Sequence, residues 1–268
     1  MPIDRILLFD EHGTPTFRDD RESDYFVGVG VSSNLVYWDR IINECRSLFG
    51  LDNSRPVKNR NLGLSRINTI SSLLLTLPIT WVVIVLDLSN EDLIRVINLY
   101  NEYGNELRRH HRGIRGRPVA QILYQQIINH VIFESIQRDI ELNPIDTNFN
   151  IYIDNWSIPI NDRTTMIDLM RSSMEARTNE ITTSYFPNAS VTINNYELLI
   201  EDSHKKRFID IITSVASRAF FPESDERYSS QVDTIITSNQ SIFYEDITST
   251  TTEFLIDFMN RTARGEIE

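Results

Sequence analysis

Two adjacent acids, Asp10 and Glu11, end the apolar run RILLFDEHGTP, and a third, Asp154, ends the run NFNIYIDNW. A buried strand that stops on carboxylates poses a physical problem, because an ionised carboxylate held out of water without a partner is costly. A divalent cation is a natural compensator. Strand alternation puts Ile6, Leu8 and Asp10 on one side of the first run, with Leu7, Phe9 and Glu11 on the other. The same rule groups Asp154 with Tyr152 and Trp156. If the two strands are neighbours, both acids meet at one edge of a sheet. A further acid, Asp210, lies in EDSHKKRFIDIITSVASRAFF. There Phe208, Ile211, Ile212, Val215 and Ala219 form a helical stripe, and Asp210 stands roughly opposite, beside Thr213, Ser214 and Ser217. Carboxylates that share one cation, with a second cation about 4 Å away, cleave phosphodiesters without a protein nucleophile. The competing readings are ordinary ones. An Asp closing a strand also serves as a turn or cap residue, and Asp210 can be a solvent-facing acid.

The elements that must position these acids follow from hydrophobic periodicity. Strands are predicted over residues 5–10, 24–32, 80–88 and 148–156, with short β segments near 181–186 and 189–200. Helices are predicted over 35–49, near 63–76, from a cap at Ser89 into the basic block, from Pro118 to about Ile140, after Asp162, over 203–221 and around 252–264. Asp202 and Ser203 stand where the cap of the 203–221 helix is expected. The glycines of DYFVGVGVS permit close approach of another backbone. This mixed alternation of strands and helices argues for an α/β layered domain. The expected organisation is a domain over 1–221 with a helical insertion at 89–143, followed by a C-terminal extension at 222–268.

Composition narrows the chemistry. The chain has 268 residues with 41% hydrophobic and 24% charged, as in an ordinary globular protein. The longest apolar run is about half of what a membrane-spanning helix needs. The first residues, MPIDR, lack the basic and apolar regions of a signal peptide. A cytoplasmic, bacterial setting without membrane association is expected. Cys45 is the sole cysteine, which excludes internal disulfides and multi-cysteine zinc sites, and its place on an apolar helical stripe argues against a thiol nucleophile. The formal net charge of −12 opposes non-specific attraction to nucleic acid. Against that average, residues 108–117 hold Arg108, Arg109, Arg112, Arg115 and Arg117 with two histidines. Guanidinium groups pair bidentately with phosphate, so this block is the expected contact to a nucleic-acid backbone. The sequence contains no phosphate-binding P-loop, no serine-hydrolase elbow and no HExxH helix.

FDEHGTPTF, the strand with FVGVGV, IYIDNW, and EDSHKKRFIDIITSVA, taken in that order, resemble the domain of unknown function 3800 family. The similarity runs over about residues 3 to 221. It implies a ribonuclease H-like mixed sheet flanked by helices and a nuclease activity, often in antiphage-defence or mobile-element systems. The resemblance makes Asp10 and Glu11 the opening acids, Asp154 the strand acid and Asp210 the helix acid. It places Asp202 and Ser203 on the family's Asp-Ser element and Lys58 on its loop lysine. His12 stands where the family usually has Ser, and Ile209 where it has Ala.

The resulting expectation is a nuclease dependent on Mg²⁺ or Mn²⁺, with Asp10, Asp154 and Asp210 as metal ligands and Glu11 as a ligand or the partner of one. DNA or RNA is the expected substrate, and the C-terminal extension a contact for a protein partner or a second copy. Two alternatives stand beside it. One is a catalytically inactive ribonuclease H-like subunit that binds or senses within a defence assembly. The other is an actin-like phosphotransferase, for which DEHGT would be a phosphate loop.

Overall fold

The computed structural model describes residues 2–13, 24–52, 64–110, 119–154, 163–186, 189–199, 203–220 and 242–264. In chain order the elements are β1 (Ile3–His12), β2 (Tyr25–Asn34), α1 (Leu35–Phe49), α2 (Leu64–Leu74), β3 (Ile79–Asp87), α3 (Glu91–His110), α4 (Val119–Leu142), β4 (Thr147–Asp154), α5 (Arg163–Tyr185), β5 (Val191–Leu199), α6 (His204–Phe220), β6 (Ile242–Asp246) and α7 (Thr248–Ala263). No helix among the described residues is long and apolar enough to cross a membrane.

The six strands form one mixed sheet in the order β5-β4-β1-β2-β3-β6. β1, β4 and β5 run parallel, β2 is antiparallel to β1 and β3, and β6 is parallel to β3. Both faces are covered, which is why β1, β2 and β3 read as nearly continuous apolar runs. On one face Ile6, Leu8, Val29 and Val83 pack against Ile41 and Cys45 of α1, Ile67 of α2, and Phe208 and Ile212 of α6. On the other Leu7, Phe9, Val82 and Ile84 pack against α3, α4, α5 and α7.

Two devices seat α4 on the sheet. At its centre it lies so close to β2 that a Cβ on Gly28 would meet Ile127 Cγ2 at 2.4 Å, and one on Gly30 would meet Val131 Cγ1 at 2.7 Å. Near its end Asp139 is buried and accepts hydrogen bonds from Arg5 of β1, Ser32 of β2 and Thr80 of β3. One α4 carboxylate thus ties three adjacent strands together.

Two local expectations are corrected, and one element is new. The segment near 181–186, expected as β, belongs to α5, which runs on to Tyr185. Thr178 and Thr183 place their hydroxyls on the carbonyls of Met174 and Asn179, so these threonines are accommodated within the helix. The cap of α3 is Asn90, whose Oδ1 accepts the Leu93 N–H at 3.0 Å, because Ser89 is engaged by Asp87. The short strand β6 was not anticipated, and it supplies the sixth position of the sheet next to β3.

Replacing Gly30 by Val is expected to lower unfolding free energy by about 1–3 kcal/mol through overpacking against Val131 and Ser135. Valine is the better strand former, so the sign of the change is diagnostic. An unchanged denaturant midpoint would mean that α4 does not seat on β2 as described.

Candidate metal centre

β1 and β4 are parallel neighbours in the register Leu8↔Tyr152 and Phe9↔Ile153, so Asp10 and Asp154 stand side by side just where that pairing ends, while β1 runs on to His12 beside β2. Both lie on the α6 side, as alternation requires. α6 begins beyond the end of β5, where Ser203 Oγ accepts the Lys206 N–H at 3.3 Å and caps the helix. The helix then crosses β1 and β2. Thr213 and Ser217 are buried beneath it, so the small-residue stripe that carries Asp210 faces the protein, not solvent. Asp10, Asp154 and Asp210 thereby each offer a carboxylate oxygen within 4.8 Å of the others. Helical periodicity had left Asp210 between this position and a solvent-facing one, and the structure puts it beside the two strand acids.

The electrostatics of this cluster are those of crowded acids. Burial, followed by repulsion from Glu11, Asp210 and Asp154, holds the Asp10 carboxyl well above the usual carboxylate range. Glu11 accepts a hydrogen bond at Oε1 from the hydroxyl of Tyr124 on α4. Its Oε2 is buried and has no hydrogen-bond partner among the described residues. Burial pushes the Glu11 carboxyl up to about 7 with help from Asp154 and Asp210, although the Tyr124 bond opposes the shift. The resident positive charge is Lys206, whose Nζ lies 2.5 Å from Asp154 Oδ1. Burial disfavours its charge, but Asp154, Asp210 and Asp10 outweigh that and hold its ammonium above the ordinary range.

The donor set is all oxygen, as hard divalent cations prefer. An orphaned buried carboxylate oxygen beside an Asp10 carboxyl whose ionisation its acidic neighbours oppose is the environment a cation would relieve. Asp10, Asp154 and Asp210 can therefore hold a metal ion.

The chain matches no family model and no curated protein. Among solved structures it is similar to a mutant protein of Bst-RNase HIII, at 12% identity and a TM-score of 0.34. The similarity covers 86% of this chain and 56% of that chain, so this chain spans little more than half of the protein it matches. The architecture itself, a mixed six-stranded sheet flanked by helices, is the α/β layered arrangement expected from the alternation of elements.

Ser203 is the α6 cap. Lys58, Asp202, Arg112, Arg115 and Arg117 lie outside the described residues. Arg108 and Arg109 sit on the last turns of α3, their side chains likewise outside the description. Two participants escaped the sequence. Lys206 had a signal, since it lies four residues before Asp210 on one helix face. Tyr124 had none, because its meeting with Glu11 is purely tertiary. A groove of ≈ 590 Å³, which shares β4 and the start of α6 with the cluster, is lined by Trp38, Tyr152, Glu197, Ser203, His204 and Lys205. Lys205 Nζ sits 3.5 Å from the centre of the Tyr152 ring.

A second set of donors also comes within 4.8 Å, namely His130 and Glu134 of α4 with Glu245 of β6. His130 Nε2 lies 2.9 Å from Glu245 Oε2. Glu134 faces the cations Arg138 and Arg177, which oppose the upward shift that burial gives its carboxyl. This network joins β6 to α4 and carries its own positive charge.

In the folded chain the Glu11 carboxyl keeps its proton up to about 7, against an ordinary value of 4.5. Over that interval the folded state binds more protons than the unfolded state, so stability falls as pH rises. In the presence of a chelator, the melting temperature of the wild type is expected to drop between about pH 5 and about pH 8. The drop should be shallower in Glu11→Gln. Parallel pH profiles for the two proteins would refute the assignment.

Proposed function

We propose that this chain is a nuclease that hydrolyses phosphodiester bonds of DNA or RNA with Mg²⁺ or Mn²⁺, by the two-metal route, and that it belongs to the domain of unknown function 3800 family. The supporting observation is the convergence of Asp10, Asp154 and Asp210 within 4.8 Å at the carboxyl ends of adjacent parallel strands. In this reading the three aspartates are the metal ligands, and Glu11, oriented by Tyr124, is a further ligand or fixes one. A divalent ion held there supplies the activation of water and the neutralisation of leaving-group charge. No side chain need act as the nucleophile.

The chain's own cations serve the substrate. Lys205 and Lys206 stand at the start of α6, on the approach to Asp154, where a phosphate backbone lying along the groove would pass. Trp38 gives the groove a ring suited to stacking against a base, while the Tyr152 ring carries Lys205. Arg108, Arg109, Arg112, Arg115 and Arg117 extend the backbone contact away from the centre. The acidic balance of the whole chain makes such local cations the source of attraction. The setting proposed is a cytoplasmic antiphage-defence or mobile-element system, with a protein partner or second copy bound through residues 222–268.

The test uses labelled single- and double-stranded DNA and RNA with Mg²⁺ or Mn²⁺. Cleavage by the wild type is expected, with Asp10→Ala, Asp154→Ala and Asp210→Ala each slower by more than about 100-fold, beyond the loss of an outer partner of a metal ligand. Mn²⁺ should raise the melting temperature of the wild type and leave an Asp10→Ala/Asp154→Ala protein unmoved. Folded, metal-binding protein that leaves every polymer intact would reject catalysis and leave a ribonuclease H-like binding subunit.

A further inference from the structure

The ammonium of Lys206 stands where a cation of the centre would have to act. Its Nζ is 2.5 Å from Asp154 Oδ1, and it is attracted by Asp210 and Asp10 as well. It reaches this point because Lys206 and Asp210 are one helical turn apart on α6, with the capped start of the helix fixed by Ser203. The contact is only partly screened, as the two side chains are 26% and 15% exposed. In a chain with only three lysines, a compact point charge on a flexible stem occupies this position rather than one of the many arginines.

We propose that Lys206 is an exchangeable counter-cation: without metal it neutralises Asp154 and its neighbours, and on metal binding it leaves Asp154 and pairs with a phosphate of the nucleic-acid substrate. This rests on the nuclease reading and adds to it a substrate-binding residue and a control on metal loading. The physical ground is that the ammonium and a divalent cation compete for the same carboxylates. They also repel each other at close range, so the lysine must lower metal affinity while it stays. A phosphodiester brought to the centre adds the negative charge to which the displaced ammonium can move.

The experiment compares the wild type with Lys206→Met, and with Lys206→Gln should the Met variant fold poorly by circular dichroism. Three changes are expected together. Melting temperature in chelator falls, because the acids lose their resident cation. Mn²⁺ affinity by calorimetry rises about tenfold, the effect of a unit charge on a divalent one at close range in near-aqueous surroundings. The affinity of a fluorescent oligonucleotide, measured by anisotropy with Ca²⁺ in place of Mn²⁺, falls. A purely structural ion pair would lower the melting temperature while leaving Mn²⁺ affinity unchanged or weaker, and that result overturns the proposal. Unchanged oligonucleotide affinity overturns the transfer to phosphate. If neither wild type nor variant binds Mn²⁺, this proposal and the nuclease reading fall together. Tight Mn²⁺ binding that ignores Lys206 defeats this proposal alone.

Discussion

Carboxylates resist being gathered, and this fold gathers four at one end of its sheet. Asp10 is almost wholly buried, Asp154 and Asp210 offer oxygens within 4.8 Å of each other and of Asp10, and Glu11 lies close enough to raise the Asp10 carboxyl. Nothing in the propensities of β1, β4 or α6 favours that meeting. It persists because the apolar residues beside each acid fix the backbone first. Ile6 and Leu8 precede Asp10 on its face of β1, while Phe208 and Ile212 flank Asp210 on α6, all in one core. Burial of such side chains stabilises by roughly 1.5–3 kcal/mol each, enough collectively to outweigh crowding that a single cation can largely relieve.

β1 is the element through which this arrangement is transmitted, because its two faces serve different layers. Asp10 belongs to the α6 side and Glu11 to the α4 side, so successive residues carry the strain of the cluster in opposite directions. α4 holds β1 at both ends, with Tyr124 bonded to Glu11 and Asp139 bonded to Arg5. The helix rises about 22 Å between those two residues, and β1 advances about 20 Å between its own. Helix and strand therefore match in length and run antiparallel. The glycines of β2 let α4 lie near enough for both bonds to form. A change at the Asp139 end, far from the acids, would be felt at Glu11 through the seat of α4.

Much of this could be seen in the residues alone, and the boundary of what could is physical. Period-two and period-3.6 patterns located α1, β3 and β4 to within a residue or two, because burial on one or two faces imprints sequence directly. The acids stood out for the same reason, as interruptions of apolar runs at strand ends. The segment 181–186 misled because β-branched and aromatic residues favour strands in general, whereas here α5 continues over β5 and its threonines bond back along the helix. Ser89 and Asn90 are both good caps, and the choice between them fell to Asp87, which claims the Ser89 hydroxyl. β6 is five residues long and pairs with a strand far away in the chain, so no local window contains its reason. Tyr124 and Glu11 are equally remote from each other. Lys206 alone among the missed residues lay within reach, one turn from Asp210.

The two donor clusters show why composition by itself does not make a metal centre. His130, Glu134 and Glu245 offer a mixed set that transition metals accept. Yet the arginines that answer Glu134 are fixed by other contacts, Arg177 lying 3.9 Å from the centre of the Phe133 ring and Arg138 4.3 Å from that of Phe243. Guanidinium planes held against rings are poorly placed to withdraw, so a metal would add to their charge instead of replacing it. At the aspartates the resident cation is one ammonium on a four-carbon stem with part of its length in solvent. It can swing away at the cost of one charge-assisted bond, which a divalent ion more than restores to Asp154. The capacity to exchange a cation, more than the number of acids, separates the centre at the end of β1 and β4 from the network that fastens β6 to α4.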